Sequence, residues 1–144
     1  MPLLRSFLAA SVVATFLAAC GGSGSPSDPG DTREIKSNPS FAADVQEIFT
    51  RKGCRAASCH GSAAGGLILG SNVDANYGFL VGVPSMSEPN FNRVTPNDAT
   101  NSYLVIKLEG RQRVGARMPL RGSSLDNIDL TNIRNWINTG APNN

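Results

Sequence analysis

Residues 41–61 read FAADVQEIFTRKGCRAASCHG, a stretch that joins an apolar helical face to two cysteines and a histidine. Four apolar residues in its first half recur at the spacing of one face of an α-helix: Phe41, Val45, Ile48 and Phe49. Ser40 predicts the N-cap of this helix, and Gly53 predicts its C-terminal end. The helix therefore leads directly into the segment Cys54–His60.

Cys54 and Cys59 are separated by four residues, and His60 follows the second cysteine directly. A cysteine pair followed by a histidine is typical of covalent haem attachment, usually with two residues between the cysteines. The thiols add to the vinyl groups of the porphyrin, and the imidazole binds the iron. His60 is the one histidine of the chain. The pattern predicts one haem c, bonded to both cysteines and ligated by His60.

Other uses of these residues are a disulfide, a zinc site or an iron–sulfur cluster. A disulfide between Cys54 and Cys59 is the main alternative, because an exported chain meets an oxidising compartment. Zinc prefers four ligands and an iron–sulfur cluster four cysteines, so both fit less well. On a continuous helix the two sulfurs would point about 140° apart. The four spacer residues should therefore bulge outward, and the long spacer affects the thioether of Cys54 more than that of Cys59.

The first residues have the features of an export signal. Arg5 precedes an apolar run from Phe7 to Ala19, which is shorter than the roughly 20 residues that span a membrane. The motif Leu17-Ala18-Ala19-Cys20 resembles the bacterial lipobox, and the alternative is a plain secretory signal with an incidental cysteine. We expect a signal peptide over 1–19, lipid on Cys20, and export to the periplasmic or cell-surface side. Gly21 favours the outer membrane.

The remaining chain reads as one domain behind a linker. Residues 20–38 are rich in Gly, Ser and Pro and predict a flexible tether, whereas residues 39–144 carry the apolar periodicity. The formal net charge is only +2, so nucleic acid is not expected as a partner. No cluster of catalytic acids, bases or nucleophiles is evident in the sequence, so we expect an electron carrier rather than an enzyme.

Three further helices are predicted, and alternating strand patterns are nearly absent. Two weaker helices are expected over about 73–81 and about 102–109. A clear last helix has one apolar face: Leu130, Ile133, Trp136 and Ile137. Asp126 and Asp129 resemble a capping arrangement at its start, and Gly140 ends it. These patterns predict an all-α domain.

The iron would need a sixth ligand or would keep an open site. Met86 and Met118 are the thioethers of the mature chain, and Pro119 stiffens the loop that presents Met118. Five cations surround that loop: Lys107, Arg111, Arg113, Arg117 and Arg121. We expect one or two of them to pair with haem propionates, Arg117 first, and others to steer an acidic redox partner. A solvated basic loop is the alternative.

The order of these motifs resembles that of class I c-type cytochromes. It is most similar to the single-haem modules of planctomycete-type and related bacterial lipoproteins, over about residues 39–142. The resemblance implies crossed first and last helices around one haem, bonded to Cys54 and Cys59 and ligated by His60 and Met118. It implies a lipid-anchored carrier of single electrons that serves redox partner proteins. Haem-based binding of small molecules and a haem-free interaction module are the other functions considered.

Overall fold

The computed structural model describes residues 33–144, and its regular elements there are helices. The α-helices are α1 (Gln46–Arg51), α2 (Val73–Leu80), α3 (Tyr103–Glu109) and α4 (Asn127–Asn138). A π-helical turn, Phe41–Val45, runs directly into α1, and two short 3-10 turns follow at His60–Ser62 and Ala64–Gly66. Within residues 33–144 there are isolated β-bridges but no strand. The prediction of a mainly α-helical domain is confirmed.

The first helical segment has the ends that its sequence predicts. The side chain of Ser40 accepts a hydrogen bond from the backbone N–H of Ala43 at 3.2 Å, which satisfies one of the unpaired donors of the first turn. At the other end Gly53 adopts a φ of +70°, the left-handed conformation that glycine reaches without steric cost. The chain therefore turns sharply into Cys54.

Aromatic packing joins the first and last helical segments. The rings of Phe41 and Trp136 stack with centroids 5.0 Å apart, and Tyr77 meets Phe41 edge-on at 5.3 Å. Both Phe41 and Trp136 are fully buried. Trp136 donates its indole N–H to the carbonyl oxygen of Pro142 at 2.9 Å, so its polar atom is also satisfied. The core thus forms where the two ends of the domain meet.

Helix α4 also begins and ends as predicted. The carboxylate of Asp126 accepts the backbone N–H of Asp129 at 3.0 Å. The helix ends before Thr139, and Gly140 follows with a φ of +101°. Its apolar side, including Ile133 and Ile137, is buried. These contacts confirm the predicted capping and core face.

The segment just before the first helix lies along α4. Asn132 accepts the backbone N–H of Lys36 at 2.8 Å and donates to the carbonyl oxygen of Glu34 at 2.9 Å. Asn135 donates to the carbonyl oxygen of Lys36 at 2.7 Å. The end of the predicted linker 20–38 is therefore attached to α4. The predicted signal peptide 1–19 and Cys20 lie outside the described residues. In residues 33–144 none of the helices has the length and apolar character that crossing a membrane requires.

Candidate haem site

A deep apolar cleft lies between the four helices. Each helix contributes to its wall: Ile48 and Phe49 from α1, Leu80 from α2, Leu104 and Leu108 from α3, and Ile133 from α4. Its empty volume is about 900 Å³ when the open mouth is included. Because its walls are mainly apolar, the cleft is suited to an apolar group.

Most of the residues predicted to bind haem meet at this cleft. Cys54, His60 and Met118 line it, although Met118 is more than 50 residues from the other two in sequence. Met86, the other thioether considered, also lines it. Cys59 does not belong to the lining. The fold therefore brings one thiol, the imidazole and both thioethers to a common space.

The His60 side chain is oriented by a backbone carbonyl. Its Nδ1 lies 2.8 Å from the carbonyl oxygen of Ala64. A carbonyl oxygen can only accept, so Nδ1 carries a proton; in the neutral imidazole this leaves the lone pair on Nε2. The carbonyl oxygen of His60 in turn accepts the N–H of Leu69 at 2.9 Å, which holds the turn against the cleft wall. This is the usual arrangement of a metal-binding histidine, whose second nitrogen donates to a carbonyl or carboxylate.

The segment between the cysteines folds into a loop closed by backbone hydrogen bonds. The N–H of His60 donates to the carbonyl oxygen of Cys54 at 3.1 Å, and the N–H of Cys59 donates to that of Ala56 at 2.8 Å. Residues 56–58 are exposed on its outer side. The spacer therefore bulges outward, as the long spacing predicts, and brings Cys54 and His60 next to each other.

Gly61 is required by the close approach of this loop. A Cβ atom at Gly61 would lie 2.4 Å from the carbonyl oxygen of Arg55 and 2.8 Å from that of Ala56. Its N–H also donates to the carbonyl oxygen of Ala56 at 3.0 Å. The glycine after the histidine therefore has a packing role, since any side chain would push the loop open.

The two thiols have different surroundings. Both are free in the structure, so Cys54 and Cys59 are not joined in a disulfide. Cys54 packs against the core, and burial raises the pKa of its thiol. Cys59 is partly exposed, with its sulfur 3.8 Å from the hydroxyl of Ser58. The long spacer was expected to affect the thioether of Cys54 more than that of Cys59, yet it is Cys54 that lines the cleft.

The loop of Met118 is attached to the end of α3. The N–H of Met118 donates to the carbonyl oxygen of Lys107 at 2.9 Å, and the methionine is partly buried against the core. Met86 has a different position, because 70% of its surface is exposed. Its sulfur lies so close to Gly66 that a Cβ atom added to Gly66 would be 1.8 Å from that sulfur. Met118 therefore belongs to the wall of the cleft and Met86 to its mouth.

Arg117 lies outside the cleft lining. Its guanidinium donates to the carbonyl oxygen of Met118 at 3.2 Å and to that of Gly122 at 2.9 Å. It thus braces the loop of Met118. The cations that line the cleft are Lys107, from the predicted basic group, and Arg93. Sequence reasoning missed Arg93, because it stands apart from that group and from every motif.

No further metal-binding cluster was found among residues 33–144, and no known relative was found that would identify this site. In the part of the chain from residue 33 onward, no three His, Cys, Asp or Glu side chains are grouped as metal ligands. Comparison of the chain with protein-family models, curated proteins and solved structures found no significant match. The candidate site is therefore defined by the cleft and by the side chains that line it.

Proposed function

We propose that this chain is a lipid-anchored monohaem c-type cytochrome, which carries single electrons outside the cytoplasmic membrane. In this proposal the domain has a cytochrome c-like fold, with the first and last helices crossed around one haem. The observation that carries it is the meeting of Cys54, His60 and Met118 at one apolar cleft, with the imidazole Nδ1 bonded to a carbonyl oxygen.

The side chains present fit a haem by their chemistry. The cleft offers an imidazole nitrogen from His60, a thioether from Met118 and a thiol from Cys54, within walls that are mainly aliphatic. Histidine and methionine are the axial ligands of cytochromes c, and this pair raises the reduction potential. The bound haem would supply the one-electron redox chemistry. The apolar walls would exclude water, and His60 would hold its orientation through Ala64.

Covalent attachment would use both cysteines. Cys54 already lines the cleft, whereas Cys59 is partly exposed and directly precedes His60. Each thiol would add across one vinyl group, forming a carbon–sulfur bond while the thiol hydrogen passes to the vinyl carbon. Burial raises the pKa of the Cys54 thiol and would thus lower the share of the more nucleophilic thiolate.

The proposed location follows from the N-terminal sequence. Lipid on Cys20 would hold the protein at a membrane surface on the periplasmic or cell-surface side, with the outer membrane favoured by Gly21. The electron donor and acceptor would be other proteins that reach the mouth of the cleft.

The decisive experiment is a pyridine haemochrome spectrum combined with the intact mass of the exported protein. The protein should be produced in cells that mature c-type cytochromes, beside a control in which Cys54 and Cys59 are both changed to serine. We expect a haemochrome and the added mass of one haem in the wild type, and neither in the control.

The outcomes also separate the other functions considered. A colourless wild type that is two hydrogens lighter than its reduced form would overturn the proposal in favour of a disulfide-bonded interaction module. A coloured, reduced wild type that binds carbon monoxide at neutral pH would indicate an open coordination site, and thus small-molecule binding rather than His60–Met118 ligation.

A further inference from the structure

Arg93 is a cation in the wall of the cleft. Both polar groups of its backbone form hydrogen bonds. Its N–H donates to the carbonyl oxygen of Val83 at 2.7 Å, and its own carbonyl oxygen accepts the N–H of Leu104 at 2.9 Å. The neighbouring Val94 forms a β-bridge with Val81. These contacts tie the end of α2 to the start of α3. The side chain of Arg93 thus projects from a well-anchored segment.

Neutral oxygens are the partners of the Arg93 guanidinium. One terminal nitrogen donates to the carbonyl oxygen of Phe79 at 2.7 Å, and the other donates to that of Gly66 at 2.8 Å. Phe79 is in the last turn of α2, where the helix dipole favours a cation, so part of this role is structural. A guanidinium has five N–H donors, and these two bonds leave others to bind an anion.

The charge of Arg93 lacks a carboxylate partner among residues 33–144. Burial lowers the pKa of its guanidinium, with no acidic group acting in the opposite direction. Arg51 and Arg134 differ, since Arg51 pairs with Asp129 and Arg134 pairs with Glu109. Arg55 and Arg117 are also half-buried and bond only to uncharged oxygens, but neither of them lines the cleft. Lys107, the second cation of the cleft, is also affected by burial, but Glu88 acts on it in the favourable direction. A partly buried cation without an anion is costly unless a ligand supplies the negative charge.

We infer that Arg93 is a binding residue for a carboxylate of the group held in the cleft. Resting on the proposed function, this assigns the carboxylate to a haem propionate and moves that role from Arg117 to Arg93. A guanidinium can bind a carboxylate through two parallel hydrogen bonds, so it would fix the rotation of the group in the cleft as well as neutralise it.

The inference can be tested on the holoprotein by measuring the midpoint potential against pH. Four proteins are compared: wild type, Arg93→Gln, Arg93→Lys and Arg111→Gln. Arg111 is the matched control, because it is bonded to Glu109 and to the carbonyl oxygen of Thr100, outside the cleft lining. The potential is followed from about pH 5 to about pH 8, above the ordinary carboxylate pKa of about 4.

Removing the cation should raise the pKa of the propionate in its apolar surroundings. Arg93→Gln should then show a potential that falls with rising pH in this range, because the ferric state favours the ionised carboxylate. At a pH above the pKa of the propionate, the midpoint potential of Arg93→Gln should lie below that of the wild type. Arg93→Lys should keep a profile closer to that of the wild type. Equal profiles for Arg93→Gln and Arg111→Gln would overturn the inference.

A second measurement covers the case in which Arg93→Gln does not accumulate. In the reduced wild-type protein, nuclear Overhauser contacts should join the Arg93 side chain to the methylene protons of one propionate. Their absence in a protein with assigned haem resonances would overturn the role of Arg93 and leave the proposed function intact. A wild-type protein without haem would overturn the proposed function, and the propionate assignment with it.

Discussion

Arg51 of α1 and Asp129 of α4 form a two-point ion pair that joins the first and last helices. The two terminal nitrogens of Arg51 donate to the two carboxylate oxygens of Asp129 at 2.7 and 3.1 Å. Lys52 and Arg33 also contact this carboxylate, at 3.2 and 2.9 Å. Asp129 is only 1% exposed, so three cations converge on one buried anion.

Asp129→Ala should destabilise the protein. The cations left behind are partly exposed and Arg51 keeps its pair with Glu47, so we expect a loss of about 1–3 kcal/mol, from the hydrogen bonds to the buried carboxylate. The free energy of unfolding from urea titration is the measurement. Asp126→Asn is the matched control, since Asp126 is 41% exposed and asparagine is an equally good N-cap. Similar losses for both variants would contradict the central role of Asp129.

Stability should fall in acid partly through Asp129. Burial opposes ionisation of its carboxyl, but hydrogen bonds from Arg51 and Lys52 outweigh it, so the pKa of Asp129 lies below its ordinary value. Its stabilising effect is therefore complete above the unfolded pKa of about 3.9 and is lost as the pH falls through the lower folded pKa. Urea titrations at several acid pH values should show a smaller acid loss in Asp129→Asn than in the wild type. If the free energy of unfolding falls equally with pH in the wild type and in Asp129→Asn, Asp129 is not a source of the pH dependence.

Gly61→Ala should disrupt the loop that carries the cysteines. The new methyl group would lie 2.4 Å from the carbonyl oxygen of Arg55. The backbone of this hydrogen-bonded loop cannot easily move that carbonyl away. We expect a cost of about 1–3 kcal/mol and a lower yield of covalent haem. Gly70→Ala is the control, because nothing lies within 4 Å of a Cβ there. A normal haem yield in Gly61→Ala would show that the loop can open without loss.

Single serine variants should show how many thioether bonds form. Cys54→Ser and Cys59→Ser should each leave one vinyl group unreacted, which shifts the pyridine haemochrome band to longer wavelength. Because Cys54 lines the cleft, its loss should reduce haem retention at least as much as the loss of Cys59. A wild-type spectrum in either variant would remove that cysteine from the attachment site.

Met118→Ala should abolish the absorption band that arises from a sulfur–iron bond. It should also lower the midpoint potential, because a thioether ligand favours the ferrous state. Met86→Ala is the control, since Met86 lines the same cleft but is 70% exposed at its mouth. Loss of the band in Met86→Ala with retention in Met118→Ala would exchange their roles.

Local features of the chain were predictable from sequence because they depend on neighbours along one helix. The periodic apolar residues from Phe41 to Phe49 predicted the first helix, and Ser40 and Gly53 predicted its ends. The same reasoning predicted the cap at Asp126 and the stop at Gly140. The order of Cys54, Cys59 and His60 is also a local pattern, and the haem that it indicates stays a prediction.

The amino-acid sequence alone thus determined the helical class, the helix ends and the candidate ligands. Tertiary structure decided which side chains share the cleft: it brought in Cys54, Met118 and Arg93 and left Cys59 and Arg117 outside its lining. The physical reason is that these contacts join distant parts of the chain. Whether a charge is buried without a partner depends on how the helices pack, and no spacing within a single segment encodes that.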